Sequence, residues 1–236
     1  NSNFTYEHLA AYGYVANLSR NVVITPYNTS YTTSIRVAST ATITMKWARL
    51  SHLGKSSEYA LYLVAGTSTV VLENNSIDNT SSTYFLTSSV ASSHEWKYNI
   101  LYKSGGWLFA GNFSNFHHNL LVYITTLNGS QGVQMEWHDN IVVFHQSSTS
   151  AFYNWGGTIQ STVYNNKFIA CRGGINISSM YGGSVYNNEI YGTDTSGYAL
   201  RIAYALGVDV YDNIFGTADR PCPKILYIDL YHSNTV

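Results

Sequence analysis

The sequence predicts an all-β fold, a right-handed parallel β-helix (solenoid) of about nine rungs with an asparagine ladder along its axis. Three observations predict it. An Asn recurs ahead of a short apolar run, with spacings of 24, 20, 21, 26, 22 and 25 residues between successive copies. Two apolar columns keep a fixed phase with that Asn. Strand-forming Val, Ile, Tyr and Thr are abundant and only three prolines occur in 236 residues, so nearly every rung keeps the N–H groups it needs to pair with the next. A period of this length is too short for the two helices and turns of a helical solenoid and suits a coil of three strands.

Taken in chain order, residues 1–16 are Tyr- and Ala-rich and include Tyr6-Glu-His-Leu-Ala-Ala-Tyr12, which suits an N-terminal cap or an exchanged segment. Residues 17–236 read as one coil. Its first rung carries Leu18-Ser-Arg-Asn-Val-Val23, with Asn21 as marker; the second, Ala48-Arg-Leu-Ser-His-Leu53, has no register fixed by sequence. The regular rungs follow, marked by Asn75, Asn99, Asn119, Asn140, Asn166, Asn188 and Asn213. Three residues before these markers stand Leu72, Trp96, Phe116, Trp137, Val163, Val185 and Val210; two after them stand Ile77, Leu101, Leu121, Val142, Phe168, Ile190 and Phe215. Both columns are apolar throughout and so face a core, while their neighbours are polar or mixed, as a period of two requires. Two strands therefore meet at a corner centred on the Asn. Its amide can donate to one neighbour and accept from the next, and the residue tolerates the left-handed backbone of a sharp bend.

Composition narrows the function. Charged residues are 11% of the chain and net charge is −1, with no basic run, which argues against nucleic acid and against a membrane-surface segment. The longest apolar stretches, such as Asn119-Leu-Leu-Val-Tyr-Ile124, fall far short of a membrane span. Eight Asn-X-Ser/Thr sequons, at Asn3, Asn17, Asn28, Asn74, Asn79, Asn112, Asn128 and Asn176, point to an exported, glycosylated chain at an extracellular or cell-surface location. Cys171 and Cys222 form a candidate disulfide if the loop Asp219-Arg-Pro-Cys-Pro-Lys224 bulges across the two rungs between them.

The repeat resembles the parallel β-helix repeat superfamily, which includes pectin-degrading enzymes, phage tailspikes and many surface proteins. The opening Leu18-Ser-Arg-Asn-Val-Val-Ile24 and the later Ala48-Arg-Leu-Ser-His-Leu-Gly54 further resemble the β-helix of eight-glycine-domain surface proteins of the fibrocystin and hyaluronan-degrading type. Where that group carries a Tyr-Pro-Ile-His-Phe-His stretch, this chain has Tyr59-Ala-Leu-Tyr-Leu63, without its histidines, so no catalytic residue is carried over.

Stacking turns sequence columns into surface neighbours. Glu95, Lys97, Asn115, His117, His118, Glu136, His138 and Asp139 fall in one corner patch over three rungs. Glu95 and Glu136, with His138 and Asp139, are candidate catalytic residues for polysaccharide cleavage, two rungs apart and near the spacing of an inverting carboxyl pair. His117, His138 and Asp139 are the nearest approach to a metal set; no metal ligand or cofactor is assigned. Tyr164, Tyr186 and Tyr211 form a row that either stacks on sugar rings or simply stabilises the coil. The leading expectation is a glycosylated extracellular structural or adhesive module. Its partners are a second copy docked head to tail, a neighbouring domain of a longer chain, or glycans, because the sequence stops at His232-Ser-Asn-Thr-Val236 without a polar cap. The alternative is a polysaccharide hydrolase or lyase.

Overall fold

The computed structural model describes residues 22–26, 34–37, 42–54, 60–63, 69–80, 86–88, 93–104, 107–109, 113–124, 127–129, 134–144, 151–157 and 160–229. The expected cap at residues 1–16, Asn21 and the sequon residues Asn3, Asn17, Asn28 and Asn112 lie outside them. Among the described residues every regular element is a strand and strands pair in parallel, each with the equivalent strand one turn away. The coil has a leading face before the Asn, a trailing face after it, and a third face that closes the turn. Eight strands from Thr42–Lys46 to Asp209–Tyr211 form the leading sheet. Nine strands from Val22–Ile24 to Ile214–Phe215 form the trailing one.

The third face is divided. Ile35–Val37, Leu61–Leu63 and Leu86–Ser88 make a separate three-stranded sheet, and a six-stranded sheet runs from Trp107–Phe109 to Leu226–Asp229. The expected nine rungs are therefore corrected to about five turns over which all three faces are continuous. Strand pairing also fixes what the sequence left open. Ala48 occupies the marker position of its rung, because Arg49 pairs with Ser76, and Val22 lies across from Ala48. The first marker position thus belongs to Val22, not Asn21.

Local backbone conformation explains why the strands are short. The residue directly before each marker position, namely Trp47, Asn74, Tyr98, His118, Asp139, Asn165, Asn187 or Asp212, is left-handed, with φ between 53° and 58°. A second left-handed residue follows the trailing strand at Asn79, Lys103, Tyr123, Phe144, Ala170 and Gly192. The pair of bends confines most trailing strands to three residues. The expectation that the marker Asn itself takes the left-handed turn is corrected: its neighbour bends, and that leaves the Asn side chain pointing inward.

Inside the corner the amides form a continuous ladder. Each Nδ2 donates to the next Oδ1, from Asn75 through Asn99, Asn119, Asn140, Asn166 and Asn188 to Asn213, at 2.9–3.1 Å. Each Oδ1 also accepts the backbone N–H of the preceding marker, as Asn140 Oδ1 does from Asn119 at 2.9 Å. The remaining amide hydrogen reaches a main-chain carbonyl one rung back, Phe116 O in the case of Asn140. A buried polar column is costly unless every amide is paired, and here stacking pairs them. Ala48, which has no amide, contributes only its backbone N–H, to Asn75 Oδ1 at 2.9 Å.

Both apolar columns line the core as expected up to the last described rung, where Val210 is exposed and Phe215 half-buried. Leu72, Trp96, Phe116, Trp137, Val163 and Val185 are fully buried, and so are Ile77, Leu101, Leu121, Val142, Phe168 and Ile190. Cys171 and Cys222 are both buried and not bridged, which corrects the candidate disulfide. Instead Cys222 Sγ donates to Ile190 O at 3.2 Å and Cys171 Sγ approaches Val142 O at 3.7 Å.

At the second bend, Asp78 is almost wholly buried and meets Arg49 Nε at 2.8 Å and Ser51 Oγ at 2.6 Å. Burial by itself raises this carboxyl, yet hydrogen bonds from Arg49, Ser51 and Asn79, with the Arg49 charge, outweigh it and hold the group below the usual carboxylate range. The unfolded chain therefore takes up the proton first as pH falls. The stabilisation is fully present above the unfolded value of about 4 and is lost as pH drops through the lower folded value.

Two predictions follow from these contacts. In urea melts, Asn140→Ala, which strands the Asn119 donors in mid-ladder, destabilises the coil by about 2–4 kcal/mol, and Asn213→Ala at the half-exposed ladder end by less. Asp78→Ala removes the carboxylate shared by Arg49 and Ser51 and costs about 1–3 kcal/mol at pH 7. The gap between it and the parent protein narrows below about pH 4 in a pH series of melts.

Candidate functional site

Parallel register makes each sequence column a line of neighbours about 4.8 Å apart. On the leading face, in the position two before the marker, pairing joins Glu73 to Lys97, then His117, His138, Tyr164, Tyr186 and Tyr211. The last five are rings stacked almost flat on one another. Centroids lie 4.8, 4.6, 5.0 and 4.9 Å apart, with planes tilted by 2–8°. The expected tyrosine row is thus the lower part of a five-ring stack.

This geometry decides how the rings can be used. Each inner ring has both faces covered by its neighbours and presents only its edge to solvent, whereas a sugar stacks on a free face. The arrangement favours coil stabilisation over glycan stacking at Tyr164 and Tyr186; Tyr211, at the end of the stack, is half exposed. Burial, then the nearby carboxylates, push the Tyr164 hydroxyl above its ordinary value, so it remains a neutral phenol.

Of the candidate carboxyl pair, Glu95 is engaged by two neighbouring side chains. Glu95 and Glu136 both flank Asn115 in register, so they lie two rungs apart as expected. Lys97 Nζ sits 2.8 Å from Glu95 Oε1, and His117 Nε2 lies 3.8 Å from the same oxygen. The hydrogen bond from Lys97 holds Glu95 below the usual range, although burial opposes it. A general acid for glycoside cleavage needs a raised value. Glu95 is built as the ionised partner of Lys97.

Histidines converge beside it. His117 and His138 stack across adjacent rungs, and the His118 ring comes back toward both, 5.1 Å from His117 and 6.1 Å from His138. His117 Nδ1 and His118 Nδ1 are 2.8 Å apart, and one ring nitrogen from each of the three residues lies within 4.8 Å of the others. Behind them Asp139 Oδ2 meets His138 Nδ1 at 2.7 Å. Of the residues singled out from sequence, His117 and His138 come together as expected, while His118 takes the place expected of Asp139. Burial first, then the neighbouring His138 and His118, hold His117 below its ordinary value and keep it neutral.

The remaining expected positions are scattered. Asn74 and Asn79 are half-buried at left-handed bends, and their amides donate to Glu73 and Asp78. Asn128 lies on the strand Leu127–Gly129. Asn176 is buried, so the folded coil withdraws it from a glycosyl transferase.

One feature escaped sequence reasoning. The outer side of the trailing sheet exposes Ile100, Tyr102, Ile141, Tyr123 and Phe144, with Leu120, Val122 and Val143 half-buried between them. The signal lay in the trailing strands themselves, which read Ile-Leu-Tyr, Leu-Leu-Val and Ile-Val-Val without alternation, the pattern of a sheet covered on both sides.

Replacing Tyr186 by Ala removes two ring contacts and should cost about 1–3 kcal/mol beyond the loss of buried area, read from the shift in denaturation midpoint. No family model, no curated protein and no solved structure matches the chain.

Proposed function

We propose that the chain is a structural or adhesive β-solenoid module of an extracellular or cell-surface protein, and that its last described rung pairs with a further rung, from a second copy docked head to tail or from a neighbouring domain of a longer chain. The observation that carries this is the last described rung. Asp209–Tyr211, Ile214–Phe215 and Leu226–Asp229 are each the edge strand of their sheet. Their inward columns, sealed in earlier rungs, are open: Val210 is 39% exposed where Val185 is 0%, and Ile228 is 52% exposed where Ile202 is 5%. An open parallel edge with apolar columns is a template for an in-register rung of the same kind. At the other end Ile24, Ile43 and Met45, whose columns are sealed in the following rungs, are only partly buried. Such a contact is heterologous, and it builds a filament when its rotation does not close.

The exposed apolar side of the trailing sheet supports the same role, because an unpaired patch of this kind marks an interaction surface. Low charge and the eight sequons, of which Asn74 and Asn79 are half-buried, support a glycosylated extracellular setting. Kinship with the β-helix of eight-glycine-domain surface proteins belongs to this proposal. It rests on the Leu18–Ile24 and Ala48–Gly54 segments, of which Ala48–Ser51 forms a trailing strand. The polysaccharide-cleaving alternative gains no support from Glu95, which is tied to Lys97.

Sedimentation velocity over a concentration series, with electron microscopy of the same samples, tests the docking. Linear species should grow with concentration and disappear in Ile228→Asp, whose circular dichroism stays that of the parent. Uniform monomers at the highest concentration overturn it.

A further inference from the structure

We propose that His117, His118 and His138 form a surface site for a borderline transition-metal ion such as Zn2+, with Asp139 as the carboxylate that orients His138. The site is independent of end-to-end docking, since it lies on the leading face several rungs before the open end. Three features carry it.

The first is convergence. A tetrahedral ion with metal–nitrogen bonds of 2.0–2.1 Å holds its ligand nitrogens about 3.4 Å apart. Here three imidazole nitrogens lie within 4.8 Å of one another, and the closest observed pair, His117 Nδ1 and His118 Nδ1, is at 2.8 Å. Small ring rotations bring this spread to the required separation.

The second is the way the fold sets the rings. His117 and His138 are fixed by strand register, Phe113–His117 against Gln134–His138, and by stacking. His118 is next in sequence to His117 and would point to the opposite side on a regular strand. Its left-handed φ of 56° breaks the alternation and brings its ring to the same side. His118 is exposed, while the His117 and His138 side chains are only 13% and 14% exposed, so an ion reaches the site from solution and meets two restrained ligands.

The third is the supporting carboxylate. Asp139 accepts only, so His138 Nδ1 carries the hydrogen toward Asp139 Oδ2 at 2.7 Å, and that contact fixes the ring beside the other two. A carboxylate behind a ligating imidazole is the usual second layer of a zinc site. Three imidazoles leave a fourth position open to water or to a donor from a partner, and imidazole donors suit Zn2+, Cu2+ and Ni2+.

The test is titration of the full chain with Zn2+ alone by calorimetry, paired with Co2+ titration read by visible absorption, whose intensity reports tetrahedral coordination. Saturable binding of about one ion per chain is expected. His118→Ala, at an exposed position that leaves the fold intact by circular dichroism, should abolish the Co2+ spectrum. Asp139→Asn should weaken Zn2+ binding by about 10- to 100-fold. The proposal is overturned if no saturable binding occurs, or if His118→Ala and His138→Asn bind Zn2+ as the parent does, which would place the ion elsewhere in the chain.

Discussion

The asparagine ladder is the constraint on which the other features of the coil depend. A primary amide in the corner has to donate to one neighbour and accept from another, so the markers must recur at the same place in every turn. The backbone N–H of each marker uses the same oxygen, as Asn119 N–H does on Asn140 Oδ1, so a slipped rung would lose two hydrogen bonds at once. Rungs nevertheless differ in length by up to seven residues, since the marker positions are 20 to 27 apart. The extra residues have to go where the ladder does not reach. The leading and trailing faces, which meet at the ladder, are each one unbroken sheet; the third face is the one that divides.

A locked register puts like on like, and this governs both the core and the surface. Inside, Trp96, Phe116 and Trp137 lie in consecutive turns of one column, with ring centroids 6.4 and 6.0 Å apart. Outside, the same rule turns isolated residues into rows. A His in one rung becomes a His pair when the next rung repeats it, and the tyrosines become a stack. Chemistry on this scaffold therefore comes from columns across rungs as much as from neighbours in sequence.

The ladder and the two core columns were legible in the sequence because a period carries them, and a period survives variation at any one rung. What the period does not carry was not legible. Ala48 and Val22 hold marker positions without an amide; Ala48, at the end of the ladder, contributes only a backbone donor. The left-handed bends fall on Trp47, Tyr98 and His118 as readily as on Asn, since register imposes them whatever the side chain. His118 and Asp139 hold the same position in successive rungs, so the columns alone do not decide which of them joins His117 and His138; the ring nitrogens that converge in the structure are those of His118. The candidate disulfide was open for a similar reason: the path of the loop around Cys222 is set by packing against Ile190 and not by spacing.

Electrostatics gives the stacked column its order. Like unit charges about 4.8 Å apart repel by roughly 3 kcal/mol in a medium typical of a protein surface, so a column cannot repeat one charge. From the N-terminal side, this column reads Lys46, Glu73, Lys97, with Lys46 Nζ 2.7 Å from Glu73, and each sign is followed by its opposite. After Lys97 the alternation ends, and the remaining positions are groups that can be neutral: two imidazoles and three phenols. Glu95, outside the column, takes the Lys97 charge, which spares His117 a positive neighbour without a counter-ion. Two stacked imidazoles cannot readily both carry charge at this separation, and burial, then His138 and His118, hold His117 below its ordinary value. The same neutral state is the one in which an imidazole offers its lone pair, so the rule that makes the column stable also leaves its histidines able to bind a cation.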